Sequence, residues 1–408
     1  MPIHVVGLGL DPDNLPDSHA EAIDSAQVLV GGKRLLEHFD DHPARKIPIT
    51  APLQDVFEQM ARCDDKDDVV VLADGDPLFF GIGHSLVTEF GPESVRILPN
   101  VSTLQVAAAR VKVPWQDVVT VSLHGRDDPY PLFAALMQHD WVAVLTDGRH
   151  IPAALAQDLM DKGADHFCMW VFEDLESDDE RFGRYTLEEA SHRSFSALNV
   201  ILFERRGGAA RPLHVGIPDE DLVTDRNLLT KWPVRAAGLA ALHLGLHHVV
   251  WDLGAGCGAV AIEAAAMLRS GRVVAVEKNA DRVGHIRQNV RAFGALLVDV
   301  VHGAMPRCLA DLPDPDRIFL GGGMARSDEV LEAACERLAP GGRLVAHCVL
   351  LSTLHRVKGY LAAAKWPFDL TMVQASQGRE LGPDVHLEAQ NPVFIVAAHK
   401  PESGKRGR

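Results

Sequence analysis

Short apolar runs separated by glycine-, proline- and charge-rich turns recur along the chain, and in the second half their period switches regularly between strand and helix. The apolar stretch 248–253 predicts a strand running into the glycine loop Gly254-Ala-Gly-Cys-Gly258. An alanine-rich helix over 259–269 follows, then a strand at 272–276, a helix over 281–293 and a strand at 296–302. A fourth strand at 317–320 ends in Gly321-Gly-Gly323, and 329–338 reads as a helix. Beyond the turn Pro340-Gly-Gly342 come a strand at 343–350, a helix at 353–364 and strands at 370–375 and 392–398. Such alternation predicts a doubly wound, mostly parallel sheet. The last two strands, with no clear helix between them, suggest a closing antiparallel hairpin.

The first half is also α/β but less regular. Strands are expected at 3–6, 28–30, 69–73, 118–122, 141–145 and 198–203, with a helix over 18–26. Several end in polar loops: Asp74-Gly-Asp-Pro-Leu78, Leu123-His-Gly-Arg126 and Thr146-Asp-Gly-Arg149. In open parallel sheets ligands sit beyond the carboxyl ends of strands, so these loops are candidate site elements. The segment 204–213, with two glycines, a proline and three arginines, reads as a linker. The expected division is therefore 1–207 and 208–400, with a disordered tail at 401–408.

At 408 residues, 47% hydrophobic and 24% charged, the chain fits two globular domains and excludes a wholly disordered or collagen-like protein. Forty basic against 56 acidic residues give a net charge of −16, which argues against nucleic-acid or anionic-membrane partners. The opening Met-Pro-Ile-His-Val-Val-Gly lacks the basic start and apolar run of a signal peptide. No apolar stretch approaches the ~20 residues of a bilayer span. Cys63, Cys168, Cys257, Cys308, Cys335 and Cys348 form no CxxC pair, so reduced thiols and a cytoplasmic protein are expected.

Asp252-Leu-Gly-Ala-Gly-Cys-Gly258 between a strand and a helix lets backbone approach a ligand closely, with unpaired amides at the helix start. Glu277 ends the next strand nineteen positions beyond Gly258, where a carboxylate can accept ribose hydroxyls. These residues define a nucleoside site without choosing the nucleoside. Gly254-x-Gly256-x-x-Ala259 also meets a relaxed dinucleotide fingerprint, which leaves a nicotinamide-dependent oxidoreductase open.

Further segments extend the pattern. Glu336 through Val345, the paired terminal strands and the Asp252/Glu277 framework resemble the class I S-adenosylmethionine-dependent methyltransferase fold, with its seven-stranded, mostly parallel, Rossmann-like sheet. Gly216-Ile-Pro-Asp-Glu220, Leu229-Thr-Lys231, Val234-Arg235, His302-Gly-Ala304, Gly321-Gly-Gly323, Gly382 and Asn391-Pro-Val393 are similar to cobalamin-pathway members that methylate C15 of the macrocycle and decarboxylate it. That resemblance implies S-adenosylmethionine contacts from Thr230, Gly254, Ala255, Gly256, Cys257, Gly258, Glu277 and Ala304. Cys257 stands where Thr or Ser is common, and a thiol is the weaker hydrogen-bond partner.

In the first half, Val5-Val-Gly-Leu-Gly9, Leu72 through Gly81, Pro99-Asn-Val-Ser-Thr-Leu104 and Ser122-Leu-His-Gly-Arg126 resemble the two-lobed tetrapyrrole methylase family, its cobalamin-pathway C5 methyltransferases above all. The resemblance implies a second S-adenosylmethionine site between two α/β lobes, with Gly9, Asp74, Gly75, Asp76, Ser102, Thr103 and Thr146 at motif positions. The family's usual opening Gly-x-Gly-Pro-Gly-Asp is replaced by Gly7-Leu-Gly-Leu-Asp-Pro12. Together the halves imply precorrin methylation at C5 and C15, with loss of carbon dioxide from the C12 acetate.

Such a substrate is rich in carboxylates, whereas this chain is acidic, so local cations are required. Candidates near the motif loops are Arg126, Arg149, Lys231, Arg235 and Arg379. No metal site is expected: His38 and His42 flank a loop, and Asp64 through Asp68 lack the spacing of a calcium loop. No residue is assigned as catalytic. A tetrapyrrole carrier with inactive methylase domains is a third reading. Self-association through the second domain is implied by the resemblance.

Overall fold

The computed structural model describes residues 2–64, 66–226, 229–322 and 328–402. The first five strands are β1 (Ile3–Gly7), β2 (Val28–Gly31), β3 (Arg45–Pro48), β4 (Val69–Ala73) and β5 (Val95–Leu98), forming a parallel sheet in the order β3-β2-β4-β1-β5. β4 is buried along its whole length, as the unbroken run Val69-Val-Val-Leu-Ala73 requires of a strand covered on both faces. A second sheet contains β6 (Val119–Ser122), β7 (Trp141–Leu145), β8 (Phe167–Glu173), β9 (Arg181–Thr186) and β10 (Asn199–Arg205), in the order β6-β7-β10-β8-β9. Only β6 and β7 pair in parallel there; the other pairings are antiparallel.

The third sheet holds β11 (Val249–Leu253), β12 (Arg272–Glu277), β13 (Val298–His302), β14 (Arg317–Leu320), β15 (Arg343–Cys348) and β16 (Phe368–Val373). Between β16 and the last strand, β17 (Ser376–Leu381) and β18 (Asp384–Ala389) form a separate two-stranded ribbon, and β19 (Val393–His399) returns to the sheet. The order is β13-β12-β11-β14-β15-β19-β16, with β19 antiparallel to both neighbours. The sheet is therefore seven-stranded and mixed. The expected closing hairpin is present as the β16–β19 pair, but an exposed ribbon replaces its turn. β17 and β18 are exposed to solvent, and only β18, with Val385, Leu387 and Ala389 at alternate positions, carries an apolar alternation.

The second and third sheets share one apolar core, in which Phe133 and Leu136 join Leu296 and Val298. At its edge Tyr130 donates to Asp299, and Lys162 Nζ lies 2.9 Å from the same carboxylate. Burial and the Asp299 charge push the Tyr130 phenol well above its ordinary value. Arg272 and Asp299 stand at the amino ends of β12 and β13, so this contact lies at the opposite end of the sheet from Gly254–Gly258 and Glu277. Of the tail, only Pro401 and Glu402 are among the described residues. No described helix is long and apolar enough to cross a membrane.

Candidate functional site

In the second domain the turn after β11 is set by three glycines at positive φ, Gly254 (+77°), Gly256 (+61°) and Gly258 (+82°), a backbone that L side chains resist. The amides of Gly254 and Ala255 both donate to the Val276 carbonyl at 3.0 Å, tying the turn to β12. Glu277, 5% exposed, completes the tie: Oε2 accepts from the Gly256 amide at 3.0 Å, while Oε1 accepts from Lys278 and Asn279 at 2.9 and 3.0 Å. A carboxylate oxygen offers about two acceptor positions. Oε1 is thus filled, and Oε2 keeps capacity for a ligand hydroxyl.

Neighbouring loops converge on the same sheet end. A Cβ on Gly254 would stand 2.9 Å from the Gly322 amide, so the loops after β11 and β14 are in backbone contact. The Gly303 amide donates to the Glu277 carbonyl at 3.1 Å, which brings exposed Ala304 alongside. A Cβ on Gly256 would meet nothing within 4 Å, so the turn is open there. Asp252 is buried beneath and accepts from the Ala261 amide at 3.1 Å; burial pushes its carboxyl up to about 7, with the nearby Glu277 charge adding. Cys257 is 3% exposed, and burial raises its thiol. What it contributes structurally is its backbone: its carbonyl accepts from Asn289 Nδ2 at 2.9 Å. Asn289 also exchanges two hydrogen bonds with Val223, stapling the glycine turn to the segment before it. No spacing in the sequence marks that residue, because its partners are backbone groups far along the chain.

Arg235 corrects its assignment as a cation facing substrate carboxylates. It is fully buried, and its guanidinium donates to Glu263 at 2.7 Å, Asp219 at 3.2 Å, the Thr230 carbonyl at 2.7 Å and the Ile217 carbonyl. Its charge is spent on holding Ile217, Asp219 and Thr230 against the helix Ala259–Ala265. Lys231, 36% exposed, lies 3.5 Å from Asp219. Arg379 sits on the ribbon, 2.9 Å from Glu388, and the ribbon leaves the sheet at the carboxyl end of β16, the sheet end that also carries the glycine turn.

In the first domain, Gly9 and Gly75 face each other in an antiparallel bridge, with Gly75 N donating to the Gly9 carbonyl at 3.0 Å. A Cβ on Gly7 would lie 2.5 Å from the Gly75 carbonyl, and one on Gly75 would lie 3.3 Å from Ser102 Cα and 3.8 Å from Thr103 N. The structure therefore brings Gly9, Gly75, Ser102 and Thr103 together at the carboxyl ends of β1, β4 and β5. Ser102 caps the helix Thr103–Val111 in a reciprocal capping box with Gln105. Asp74 is exposed and paired with Arg34; Asp76 accepts from Leu78 N at 2.8 Å. Asn100 is the residue sequence reasoning left out. Its side chain donates to the Gly7 carbonyl at 2.9 Å and accepts from Val101 N at 2.8 Å, clamping the first loop to the third. Its place in Pro99-Asn-Val-Ser was the available signal.

Thr146 belongs to the second sheet, its hydroxyl donating to Asn199 on β10. Beside it Asp147 accepts from the amides of Gly125, Arg149 and His150, which hold its carboxyl below the usual range, His150 foremost. Arg149 is paired with Asp127, while Arg126 is exposed on the β6 loop. Among the described residues no cluster of His, Cys, Asp or Glu has the arrangement of a metal site.

Two family models match the chain: tetrapyrrole (corrin/porphyrin) methylases over residues 2–191, and the precorrin methyltransferase domain over 221–400. A precorrin-6Y C(5,15)-methyltransferase [decarboxylating] from Sinorhizobium sp is 36% identical over 360 residues, covering 85% of this chain and 84% of that protein. A cobalt-precorrin-7 C(5)-methyltransferase from Salmonella typhimurium is 39% identical over 203 residues, half of this chain and 98% of its own. A crystal structure described as precorrin-6Y C5,15-methyltransferase from Geobacter metallireducens is 36% identical, covers 47% of this chain and all of its own, and has a TM-score of 0.45. With both family models matched in order and a full-length relative at this identity, the chain belongs to the decarboxylating precorrin-6Y C(5,15)-methyltransferase family.

Proposed function

We propose that this chain methylates precorrin-6Y at C5 in its first domain and at C15 in its second, where it also releases carbon dioxide from the C12 acetate to give precorrin-8X. The observation that carries the reading is the Glu277–Gly256 tie at 3.0 Å, with open acceptor capacity on Oε2 and open space over Gly256. This donor set fits the adenosyl group of S-adenosylmethionine in a class I fold: a carboxylate for the ribose diol, and glycine backbone where a side chain would intrude. The Gly9–Gly75 bridge against Ser102 and Thr103 is the corresponding cradle of the first domain, so two cofactor sites are assigned to one chain.

S-adenosylmethionine supplies a methyl group already activated on a sulfonium. The protein's task is to hold acceptor carbon and donor in line and to keep water away. Thr230, Gly254 through Gly258, Glu277 and Ala304 hold the donor in the second domain. Arg235 and Asn289 position these groups through the Thr230 carbonyl and the glycine turn. Gly9, Asp74, Gly75, Asp76, Ser102, Thr103 and Thr146 do so in the first. Arg126, Arg149, Lys231 and Arg379 remain the cations available to substrate carboxylates, with Arg149, Lys231 and Arg379 already shared with Asp127, Asp219 and Glu388. Electrons released with carbon dioxide pass into the conjugated macrocycle and a proton, ultimately from solvent, then completes the methyl group left at C12, so decarboxylation needs positioning of the acetate rather than a protein electron sink.

Self-association is assigned to the second domain. β16 is the open edge of its sheet, and the neighbouring ribbon exposes Leu381, Val385 and Leu387. The reading is tested by incubating the chain with S-adenosylmethionine and precorrin-6Y and weighing the product. Gain of two methyl groups with loss of one carbon dioxide is expected; an unchanged mass overturns it.

A further inference from the structure

The loop after β4 carries more than its Gly-Asp-Pro turn. Phe80 has φ +55°, a left-handed backbone that a bulky side chain adopts only under strain. The fold gains little from its ring, which is 52% exposed and meets Phe79 edge-on at 5.1 Å. Phe79, by contrast, packs into the core with Leu104 and Phe172. The loop is also tightly wound: Gly83 N donates to the Pro77 carbonyl at 3.0 Å, and a Cβ on Gly81 would stand 2.5 Å from that carbonyl. A wound loop anchored through Phe79 thus pins Phe80 outward. Its loop borders the cradle of Gly9, Gly75 and Ser102: a Cβ on Gly7 would lie 2.9 Å from Pro77 Cδ and one on Gly75 3.6 Å from the Val101 carbonyl, and the apolar side chains of Leu78 and Val101 are 57% and 46% exposed there.

We infer that Phe80 is a substrate-positioning residue of the first domain, presenting an aromatic face on which the flat, conjugated tetrapyrrole stacks while its rim carboxylates stay in water. The inference rests on the proposed C5 methylation. It explains why a strained position carries an aromatic ring: its one aromatic contact is to Phe79, about half of it stays exposed, and a conjugated ligand gains from that exposed surface.

The test uses the full chain and three forms: wild type, Phe80→Gly, which relieves the left-handed strain, and Phe80→Tyr, which restores the ring. C5 and C15 methylation are followed separately by product mass, with KM for the tetrapyrrole and for S-adenosylmethionine. Phe80→Gly is expected to raise the tetrapyrrole KM of the C5 step about tenfold. The cofactor KM and C15 rate should stay unchanged, the melting temperature should not fall, and Phe80→Tyr should recover the C5 step. An unchanged C5 KM in Phe80→Gly overturns the role of Phe80 while leaving the domain's function standing. So does a drop in melting temperature that Phe80→Tyr fails to restore. A wild-type chain that methylates C15 but never C5 overturns the first-domain reading itself, and Phe80's role with it.

Discussion

The two proposed cofactor cradles are built on opposite plans. In the second domain the cradle is one unbroken stretch, Gly254 to Gly258, fastened by a carboxylate from the adjoining strand. In the first it is assembled from strand ends far apart in sequence, where Gly7, Gly9, Gly75 and Ser102 meet backbone to backbone with Asn100 as clamp. A contiguous turn fastened through backbone amides tolerates a changed side chain, which is why Cys257 can stand where a hydroxyl is common. An assembled cradle depends instead on the absence of side chains at its contacts. The altered opening Gly7-Leu-Gly-Leu-Asp-Pro12 keeps both glycines that make those contacts.

The site carboxylates differ in the same sense. Asp252 lies under the second cradle and burial raises it to about 7; Asp147 lies at the rim of the first domain's second sheet and backbone amides lower it. A raised acid stabilises the fold through a proton held fully below its ordinary value of 3.8 and lost as pH rises through about 7. A lowered one stabilises above the ordinary value, and that contribution is lost as pH falls through the folded value. The second domain should therefore weaken from pH 4 to 7, whereas the Asp147 loop should weaken only in stronger acid.

Removing Arg235 should separate the domains most. Arg235→Ala strands Glu263 as an uncompensated buried charge, a loss of about 3–5 kcal/mol, and thermal unfolding followed by domain-specific proteolysis should show the second domain failing first. Equal loss in both domains would mean that the shared core couples them into one unit. Glu277→Ala removes the acceptor of three backbone amides; S-adenosylmethionine affinity in the second domain should fall about 100-fold while C5 methylation persists. A parallel loss of C5 methylation would contradict the independence of the cradles. The smallest effect is one of slope: Asp252→Asn keeps an acceptor for the Ala261 amide and should flatten the pH dependence of unfolding between pH 4 and 7. An unaltered slope would place the titrating group elsewhere.

The contrast in plan also explains what the sequence made legible. The strand–turn–helix of the second domain could be read because its parts are adjacent: an apolar strand, a glycine turn and an alanine-rich helix in immediate succession. β17 could not, since Ser376–Leu381 carries no apolar alternation, whereas the alternation Asp384-Val-His-Leu-Glu-Ala389 of β18 was legible and passed over. In the first half β8, β9 and the short strands β3 and β5 escaped expectation: β9 alternates only between exposed and half-buried positions, whereas β8, Phe167-Cys-Met-Trp-Val-Phe-Glu173, is a largely buried apolar run that was legible and passed over. Arg235 looked like a ligand cation because proximity to a motif says nothing about burial. Asn289 and Asn100 act on distant backbone, which one-dimensional spacing does not carry.

Calorimetric titration of the full chain with S-adenosylmethionine, repeated on Glu277→Ala, measures the central claim of two cradles in one chain. Two sites per wild-type chain and one tight site in the variant are the expected result. A single site that disappears entirely in Glu277→Ala would contradict it, leaving the Gly9–Gly75 bridge a structural contact rather than a binding site.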